Sequence, residues 1–402
     1  MISQIHFFNP GHETAVLLGS ENYTPPTNVQ RMIRELSCLP VWYAGSTDYV
    51  YAEEIISPRF FSLLPKELRP FATLVTDKEL KEQKMSSIEL EAAPWGISPH
   101  SLHLFEKLKQ NFNLNLSIPT WKDDYFRLTG RQTAAECLEL IRQQLPDLPI
   151  PVTPKFCRKI REVEKYLILQ NAPFVVKTPY SSSGRGLLWL PERKLTTKDR
   201  NWIEGAINKQ GMVSIECGLN KVQDIAMEFY SDGQGNVTYE GLSVFGTVKK
   251  GAYAGNVLGS QEYLSEPIKR WVGEEVYLQI QQAVTHALKS IYGNVYCGYL
   301  GVDMIVYKTK NDAYAIHPCI EVNMRYTMGM LALRFNQKYL APKAIGDFNL
   351  TYESKQGEAY ERHSFMKKAY PLTIENGKIR EGYLPLCPVT KDTKYRAYIL
   401  VM

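Results

Sequence analysis

The chain has 402 residues, 44% of them apolar and 22% charged, with a formal net charge of +5. That length holds two or three domains of common size with cores of their own, and from so small a charge excess no general polyanion-binding role follows and no nucleic-acid partner is suggested. Seven scattered cysteines (Cys38, Cys137, Cys157, Cys217, Cys297, Cys319 and Cys387), odd in number and without CxxC spacing, fit a reducing compartment rather than a disulfide framework.

The first residues, MISQIHFFNPGHE, lack a basic segment followed by an apolar one, and no stretch approaches the uncharged length that spans a bilayer. The expected location is the cytoplasm, with no membrane partner. Residues 1 to about 120 alternate apolar strand-like runs with amphipathic helices, as a parallel α/β sheet does. Gln4 to Phe8 reads as the first strand, Asn28 to Leu36 as a helix, Val41 to Ala44 as a second strand and Ser101 to Asn111 as a later helix.

The first strand ends in Asn9, Pro10, Gly11, His12 and Glu13. Open α/β sheets bind ligands at the carboxyl ends of their strands, which makes His12 and Glu13 candidate substrate contacts. A Pro-Gly turn with Glu13 beside a helix N-terminus explains the same residues, and both readings stand. No GxGxxG follows the strand, which argues against a dinucleotide site.

Thr129 to Gln144 reads as a helix with Thr129 or a neighbour as its cap, and Arg131 falls in its first turn. A cation there opposes the helix dipole, so it is either a tolerated surface charge or is placed to meet an anion. Glu162 to Leu169 makes another helix. The stretch FVVKTPYSSSGRGLLWL follows, a strand from Phe174 to Lys177, a loop of small residues and a second strand from Leu187. Such a loop can fold over a phosphate chain: backbone N–H groups and hydroxyls donate to phosphate oxygens, glycines allow close approach, and Lys177 supplies a point charge. It is not a Walker A loop, since GxxxxGK[ST] is absent.

Met212 to Cys217 reads as a short strand ending in Glu216 and Cys217, followed by Gly218 and Leu219. Backbone groups at that strand end can read an adenine edge. Asp224, at the start of the strand IAMEFY, can accept a ribose hydroxyl, although a solvated turn accounts for the pattern equally well. Val244 to Gly259 reads as a loop in which Lys250 and Tyr253 are candidates to clamp an anionic substrate, with a solvated basic loop as the alternative.

The most informative stretch is Cys297 to Gly329. Leu300 to Tyr307 reads as a strand whose alternation puts Asp303 on one face with Gly301, Ile305 and Tyr307. The returning strand, Ala313 to Met324, puts Glu321 and Asn323 on one face with Val322 opposite. Two carboxylates and an amide can then converge. Oxygen donors that leave room for water and phosphate suit Mg²⁺, and Arg325 offers a planar fork for phosphoryl charge. His317 has no assigned role on this strand, and Arg334 is either a carboxylate contact or an exposed helix residue. An ordinary hairpin with acids on its solvated face remains the plain alternative.

In this order the stretches resemble the ATP-grasp superfamily over roughly residues 121 to 345, the Glu-Val-Asn-Met-Arg run being the most specific part. The resemblance implies an N-terminal Rossmann-like α/β domain (1–120), a two-lobed ATP-grasp domain (121–345, lid subdomain about 150–212) and a C-terminal extension (346–402) packed on it. It implies that Arg131 and Lys177 bind ATP phosphates under a lid of Ser183, Gly184, Arg185 and Gly186. Glu216, Cys217 and Leu219 would line the adenine site, Asp224 would hold ribose, and Asp303, Glu321 and Asn323 would ligate Mg²⁺. Arg325 would stabilise the transferred phosphoryl group, with Lys250 as a second catalytic candidate.

Two departures narrow it. Gly301 stands where D-alanine ligase-like members have an Arg, so a D-amino-acid substrate is unsupported, and the longer Gly-rich lid and biotin-linked features of the carboxylase-like members are not evident. The implied activity is an ATP-dependent ligase that activates a small-molecule carboxylate as an acyl phosphate for attack by an amine or thiol. The alternatives are a small-molecule kinase of the same fold and a nucleotide-binding regulator without turnover. The implied partners are the carboxylate and amine substrates, with a homodimer left open.

Overall fold

Five short strands, β1 (Ser3–Phe7), β2 (Tyr49–Tyr51), β3 (Thr73–Val75), β4 (Leu90–Pro94) and β5 (Leu116–Ser117), form a parallel sheet in the order β3-β2-β1-β4-β5. The computed structural model describes residues 2–82, 85–181, 186–248 and 252–402. Ile5, Phe7, Leu90 and Ala92 are buried with Phe105 and Leu108 of the Pro99–Phe112 helix. That helix starts where the sequence lets it. Ser98 accepts from the Ser101 backbone N–H, the Ser101 hydroxyl accepts from the Ser98 N–H at 2.9 Å, and Pro99 occupies the first turn, where its missing N–H is no loss.

The strand expected at Val41–Ala44 is absent: Val41 and Trp42 end a 3₁₀ turn, Leu39–Trp42, and Tyr43 and Ala44 follow it as turn and bend. Pro40 cannot donate to a ladder, and Trp42 donates its ring N–H to the Leu386 carbonyl at 2.8 Å. The second strand is the shorter Tyr49–Tyr51. Because the chain leaves β1 toward β2 and returns to pair β4 on the other side, the strand order reverses at β1.

The chain divides into two units. The first comprises Met1–Lys122, Ala254–Leu264 and Arg325–Met402, the second Asp123–Tyr253 and Ser265–Met324. The second unit holds two sheets. The smaller, β6 (Lys155–Cys157), β7 (Phe174–Lys177), β8 (Leu187–Leu190) and β9 (Val213–Cys217), is antiparallel in the order β6-β9-β7-β8. Phe174, Val176, Val213 and Ile215 point to one face and are buried against Val163, Leu167 and Ile203 of the Ile160–Leu169 and Thr197–Gln210 helices. By the period of two, Val175, Lys177, Ser214 and Glu216 occupy the other face.

The second sheet of this unit contains β10 (Asn220–Asp232) and β11 (Val237–Val248). After β12 (Ala252–Leu258), which leads into the first unit, come its remaining strands β13 (Cys297–Lys308) and β14 (Tyr314–Asn323). Its order is β14-β13-β10-β11, antiparallel throughout. The helix expected over Thr129–Gln144 runs from Arg131 to Gln144, and its cap is Gly130, the neighbour of Thr129, with extended backbone (φ −81°, ψ 152°); a separate short helix, Asp124–Thr129, ends just before it. Ala134, Cys137, Leu138 and Ile141 form the buried stripe of the Arg131–Gln144 helix, and the Cys319 thiol of β14 reaches the Ala134 carbonyl at 3.4 Å.

The loop expected over Val244–Gly259 is largely extended, since β11 runs to Val248 and β12 starts at Ala252. In the first unit β12, β15 (Gly346–Tyr352), β16 (Thr373–Glu375), β17 (Lys378–Pro385) and β18 (Tyr395–Val401) form an antiparallel sheet ordered β12-β15-β18-β17-β16. Gly255 is needed there: its φ is +159°, and a Cβ would run into the Phe348 carbonyl of β15. Among the described residues no helix is long and apolar enough to cross a membrane.

Candidate active site

In the second unit Lys177 closes β7, opposite Ser214 of β9, and its ammonium forms an ion pair with Glu216 two residues along β9. Both side chains are largely buried, 10% and 14% exposed. Burial is the largest single influence and would raise the Glu216 pKa, but the Lys177 charge and hydrogen bond, together with His317 and Arg131, outweigh it and hold the carboxyl below its ordinary range.

Arg131 gathers the neighbouring elements. Its backbone N–H donates to the Pro179 carbonyl at 3.1 Å, its Nε to the Thr178 carbonyl at 3.1 Å, and an Nη to the Ser181 hydroxyl at 3.4 Å. The same Nη lies 3.0 Å from Glu321 Oε2 on β14. Arg131, Phe156, Lys177, Ser214, Glu216 and Cys319 line a small cleft. A cation in the first helical turn, adverse to the dipole when read alone, is here held between a loop and a carboxylate.

The register of the second sheet brings the expected oxygen donors together. Asp303 of β13 stands directly opposite Glu321 of β14, and Gly301 opposite Asn323. On the other side of β13, Asp303 pairs with Ala226 and Gly301 with Glu228. Cross-strand partners share a face, so Asp303, Glu321, Asn323 and Glu228 project to one side of the sheet. Glu228, 1% exposed, is a carboxylate that sequence reading missed. Its place in AMEFY, with Ala226 and Glu228 alternating against apolar neighbours, was the available signal.

Among the described residues no three His, Cys, Asp or Glu side chains form a metal group by themselves. Two carboxylates and an amide are a set that leaves sites for a ligand's own oxygens, as Mg²⁺ requires.

Of the lid residues, Gly186 is described, while Ser183, Gly184 and Arg185 lie outside the described residues, as does Lys250. The Gly186 carbonyl accepts from the Thr178 N–H at 2.9 Å, and a Cβ on Gly186 would overlap the Thr178 hydroxyl and Ser181. Only glycine fits that closure. Asp224, expected at a strand start, lies inside β10, because the strand begins at Asn220; its Oδ2 accepts from Lys221 Nζ at 2.6 Å and the Thr247 hydroxyl at 2.8 Å. Cys217 and Leu219 follow Glu216 at half-buried positions, where the Gly218 N–H donates to the Pro173 carbonyl at 2.7 Å and the Lys221 N–H to the Leu219 carbonyl at 2.9 Å.

Arg325 belongs to the first unit, and so does its partner. Its Nε donates to Glu13 Oε1 at 2.6 Å, and an Nη donates to the Tyr326 carbonyl at 3.0 Å. Glu13 is buried, which alone would raise its pKa, yet the Arg325 charge holds it below the ordinary carboxylate range. His12 Nε2 lies 2.8 Å from the Ile97 carbonyl, so that nitrogen carries the proton, and burial lowers the pKa of the ring. Gly96 permits this packing, since a Cβ there would stand 2.5 Å from the His12 ring. Asn9 bridges to Gly96 in both directions, donating to its carbonyl at 2.8 Å and accepting from its N–H at 3.1 Å. The turn after β1 is thus joined to the end of β4, where the strand order reverses.

No protein-family model matches the chain, and no curated protein matches it. Its fold is similar to that of biotin carboxylase from Campylobacter jejuni, solved as a βγ-ATP complex: the two are 11% identical with a TM-score of 0.55, covering 100% of this chain and 88% of the other. It is also similar to the biotin carboxylase domain dimer of the Hydrogenobacter thermophilus 2-oxoglutarate carboxylase, solved with MgADP, ADP and bicarbonate. There the identity is 13% and the TM-score 0.52, covering 100% of this chain and 86% of the other. At these identities the likeness is one of fold.

Proposed function

We propose, from the ATP-grasp fold that the chain has, that it is an ATP-dependent ligase joining a small-molecule carboxylate to an amine. The observation that carries the reading is the register that sets Asp303 opposite Glu321, with Asn323 one pair further on the same face, beside a cleft lined by Arg131 and Lys177. A solvated hairpin does not need its carboxylate met by a buried arginine at 3.0 Å.

In this reading Lys177 and Arg131 bind the phosphates of ATP, and residues 183–186 close over them. Glu216, Cys217 and Leu219 line the adenine site and Asp224 lies toward the ribose. Asp303, Glu321 and Asn323 hold Mg²⁺, which neutralises phosphate charge when bound. An oxygen of the substrate carboxylate attacks the γ-phosphorus, the bond from that phosphorus to the bridging oxygen breaks, and ADP leaves. The amine then attacks the acyl carbon, inorganic phosphate departs, and the amine loses a proton. Arg325 and Lys250 are the cations assigned to the phosphoryl group and the substrate anion. Positioning and charge neutralisation suffice for such chemistry, without a nucleophile from the protein.

ADP release is measured with Mg²⁺ and pooled small carboxylates, with hydroxylamine present to trap an acyl phosphate as a hydroxamate. Hydroxamate that depends on one pool is the expected result. ADP release without hydroxamate in any pool replaces the ligase by a kinase.

A further inference from the structure

His317 sits on β14, 3% exposed, and among the described residues its Nε2 has no hydrogen-bond partner. The protonation of the ring follows from its other nitrogen. The Cys319 backbone N–H donates to His317 Nδ1 at 3.4 Å, so Nδ1 carries no proton. Burial keeps the imidazole neutral, its pKa lowered to about 4. The single ring proton is therefore on Nε2, a buried donor with nothing to receive it. Such a group costs free energy unless a partner arrives.

Register fixes the side to which this donor belongs. His317 stands opposite Ile305, and Glu321 stands opposite Asp303, two residues away on β13. Ile305 and Asp303 share a face, so His317 and Glu321 share it too, with the extra residues of β14 taken up in a bulge between them. Burial, the Glu216 carboxylate and the Lys177 ammonium, in that order, shape the electrostatic environment of the ring. Cys319 and Ile320, its near neighbours in the chain, line the cleft with Arg131, Lys177 and Glu216. The two charged groups that act on the ring, Glu216 and Lys177, are themselves lining residues of that cleft.

We infer that His317 is a nucleotide-binding residue whose Nε2–H donates to a phosphate oxygen in this cleft, as a neutral third donor beside Arg131 and Lys177. The assignment rests on the nucleotide reading proposed above. A neutral donor suits the place: a third cation would add repulsion between Arg131 and Lys177, whereas an imidazole N–H adds a hydrogen bond without charge. It also accounts for a polar atom that the unliganded fold leaves unsatisfied.

The test is calorimetric titration of the full chain with MgADP and, separately, with adenosine, comparing wild type with His317→Phe, which keeps a ring without a donor, and His317→Gln, which keeps a donor. MgADP binding should weaken about tenfold or more in the Phe variant, weaken less in the Gln variant, and leave adenosine affinity as in wild type. Wild-type binding of MgADP with an unchanged Phe variant overturns the role of His317 alone. Equal losses for adenosine and MgADP in both variants also overturn it, since they mark a packing role. A wild-type chain that binds no MgADP overturns the nucleotide reading itself and this assignment with it.

Discussion

Arg325 Nε meets Glu13 Oε1 at 2.6 Å, a pair within the first unit that joins Arg325 to the turn after β1 across 312 residues of sequence. The arginine is 17% exposed and the glutamate 6%, so the charges are shielded from water and from salt. The pair fixes the guanidinium in one orientation, with its second bond going to the Tyr326 carbonyl. Of the two readings of Glu13, the turn beside a helix start describes its backbone, in the His12–Leu18 helix. Its side chain pairs with Arg325.

Arg325→Ala should therefore destabilise the chain by about 3 kcal/mol, because it leaves a buried carboxylate without its cation. Joint replacement, Glu13→Gln with Arg325→Met, should recover most of that loss. Urea denaturation midpoints of the three variants check this; a double variant no more stable than Arg325→Ala would show that packing, and not the orphaned charge, dominates. The sign of the pH dependence follows from the lowered pKa of Glu13, whose ordinary value is 4.5. The stabilisation from the pair is complete above that value and is lost as the pH falls through the folded pKa below it.

Lys177→Met should abolish measurable MgADP binding while leaving the fold intact. On the function proposed above the loss includes the charge that meets phosphate, and it also leaves Glu216, largely buried, without its Lys177 partner. Glu216 should then protonate more readily, so the thermal stability of the variant should fall less steeply on acidification than that of wild type. Lys177→Arg should not restore affinity, since the planar fork cannot occupy the space of a compact ammonium at a strand end.

Glu321→Gln and Asp303→Asn should each remove turnover, by at least about a thousandfold if phosphoryl charge goes unneutralised. Glu321 also accepts from Arg131 at 3.0 Å, so Glu321→Gln should change nucleotide binding even without Mg²⁺, because it removes the partner that holds Arg131. Titrations with and without EDTA separate this effect from the Mg²⁺-dependent one. Full activity in Glu321→Gln would remove the metal assignment.

The parts legible in the sequence share a physical basis in local periodicity. The strand Phe174–Lys177 ends where alternation predicts, and the face shared by Glu321 and Asn323 needs only the period of two. What escaped depends on distant partners. Val41 and Trp42 are apolar because they are buried in a 3₁₀ turn that Trp42 fastens to Leu386, and a short apolar run looks alike in a strand or a buried turn. Asp224 seemed to begin a strand because polar residues precede it. Those residues pair with β13, Asn220 with Lys308 and Lys221 with Tyr307, so the strand starts earlier. The Val244–Gly259 stretch read as a loop because glycines and lysines punctuate it, yet sheet pairing absorbs Gly255 by giving it a neighbour where a side chain would not fit. Nothing local couples Glu13 to Arg325.

His317 also sets a pH dependence of stability that differs from that of the carboxylates. Its pKa falls from the ordinary 6.5 to about 4 on folding, chiefly because burial disfavours the imidazolium. Between those values the unfolded chain binds a proton that the folded chain does not, so stability rises with pH across the window and is lost as the pH falls from 6.5 toward 4. The loss attributable to this residue is up to about 3 kcal/mol at the acid end, at 1.36 kcal/mol for each pKa step. His12 and His363, whose pKa values are also lowered, act in the same direction, while Glu13 and Glu216 respond only below the ordinary carboxylate range. The contribution of His317 is therefore the difference between wild type and His317→Gln. Melting temperatures measured from pH 7 to pH 4 should converge as the pH falls, with the variant losing less stability than wild type between 6.5 and 4.5. Parallel curves would mean that the imidazole is not kept neutral, and that Nδ1 does not accept the Cys319 N–H in solution.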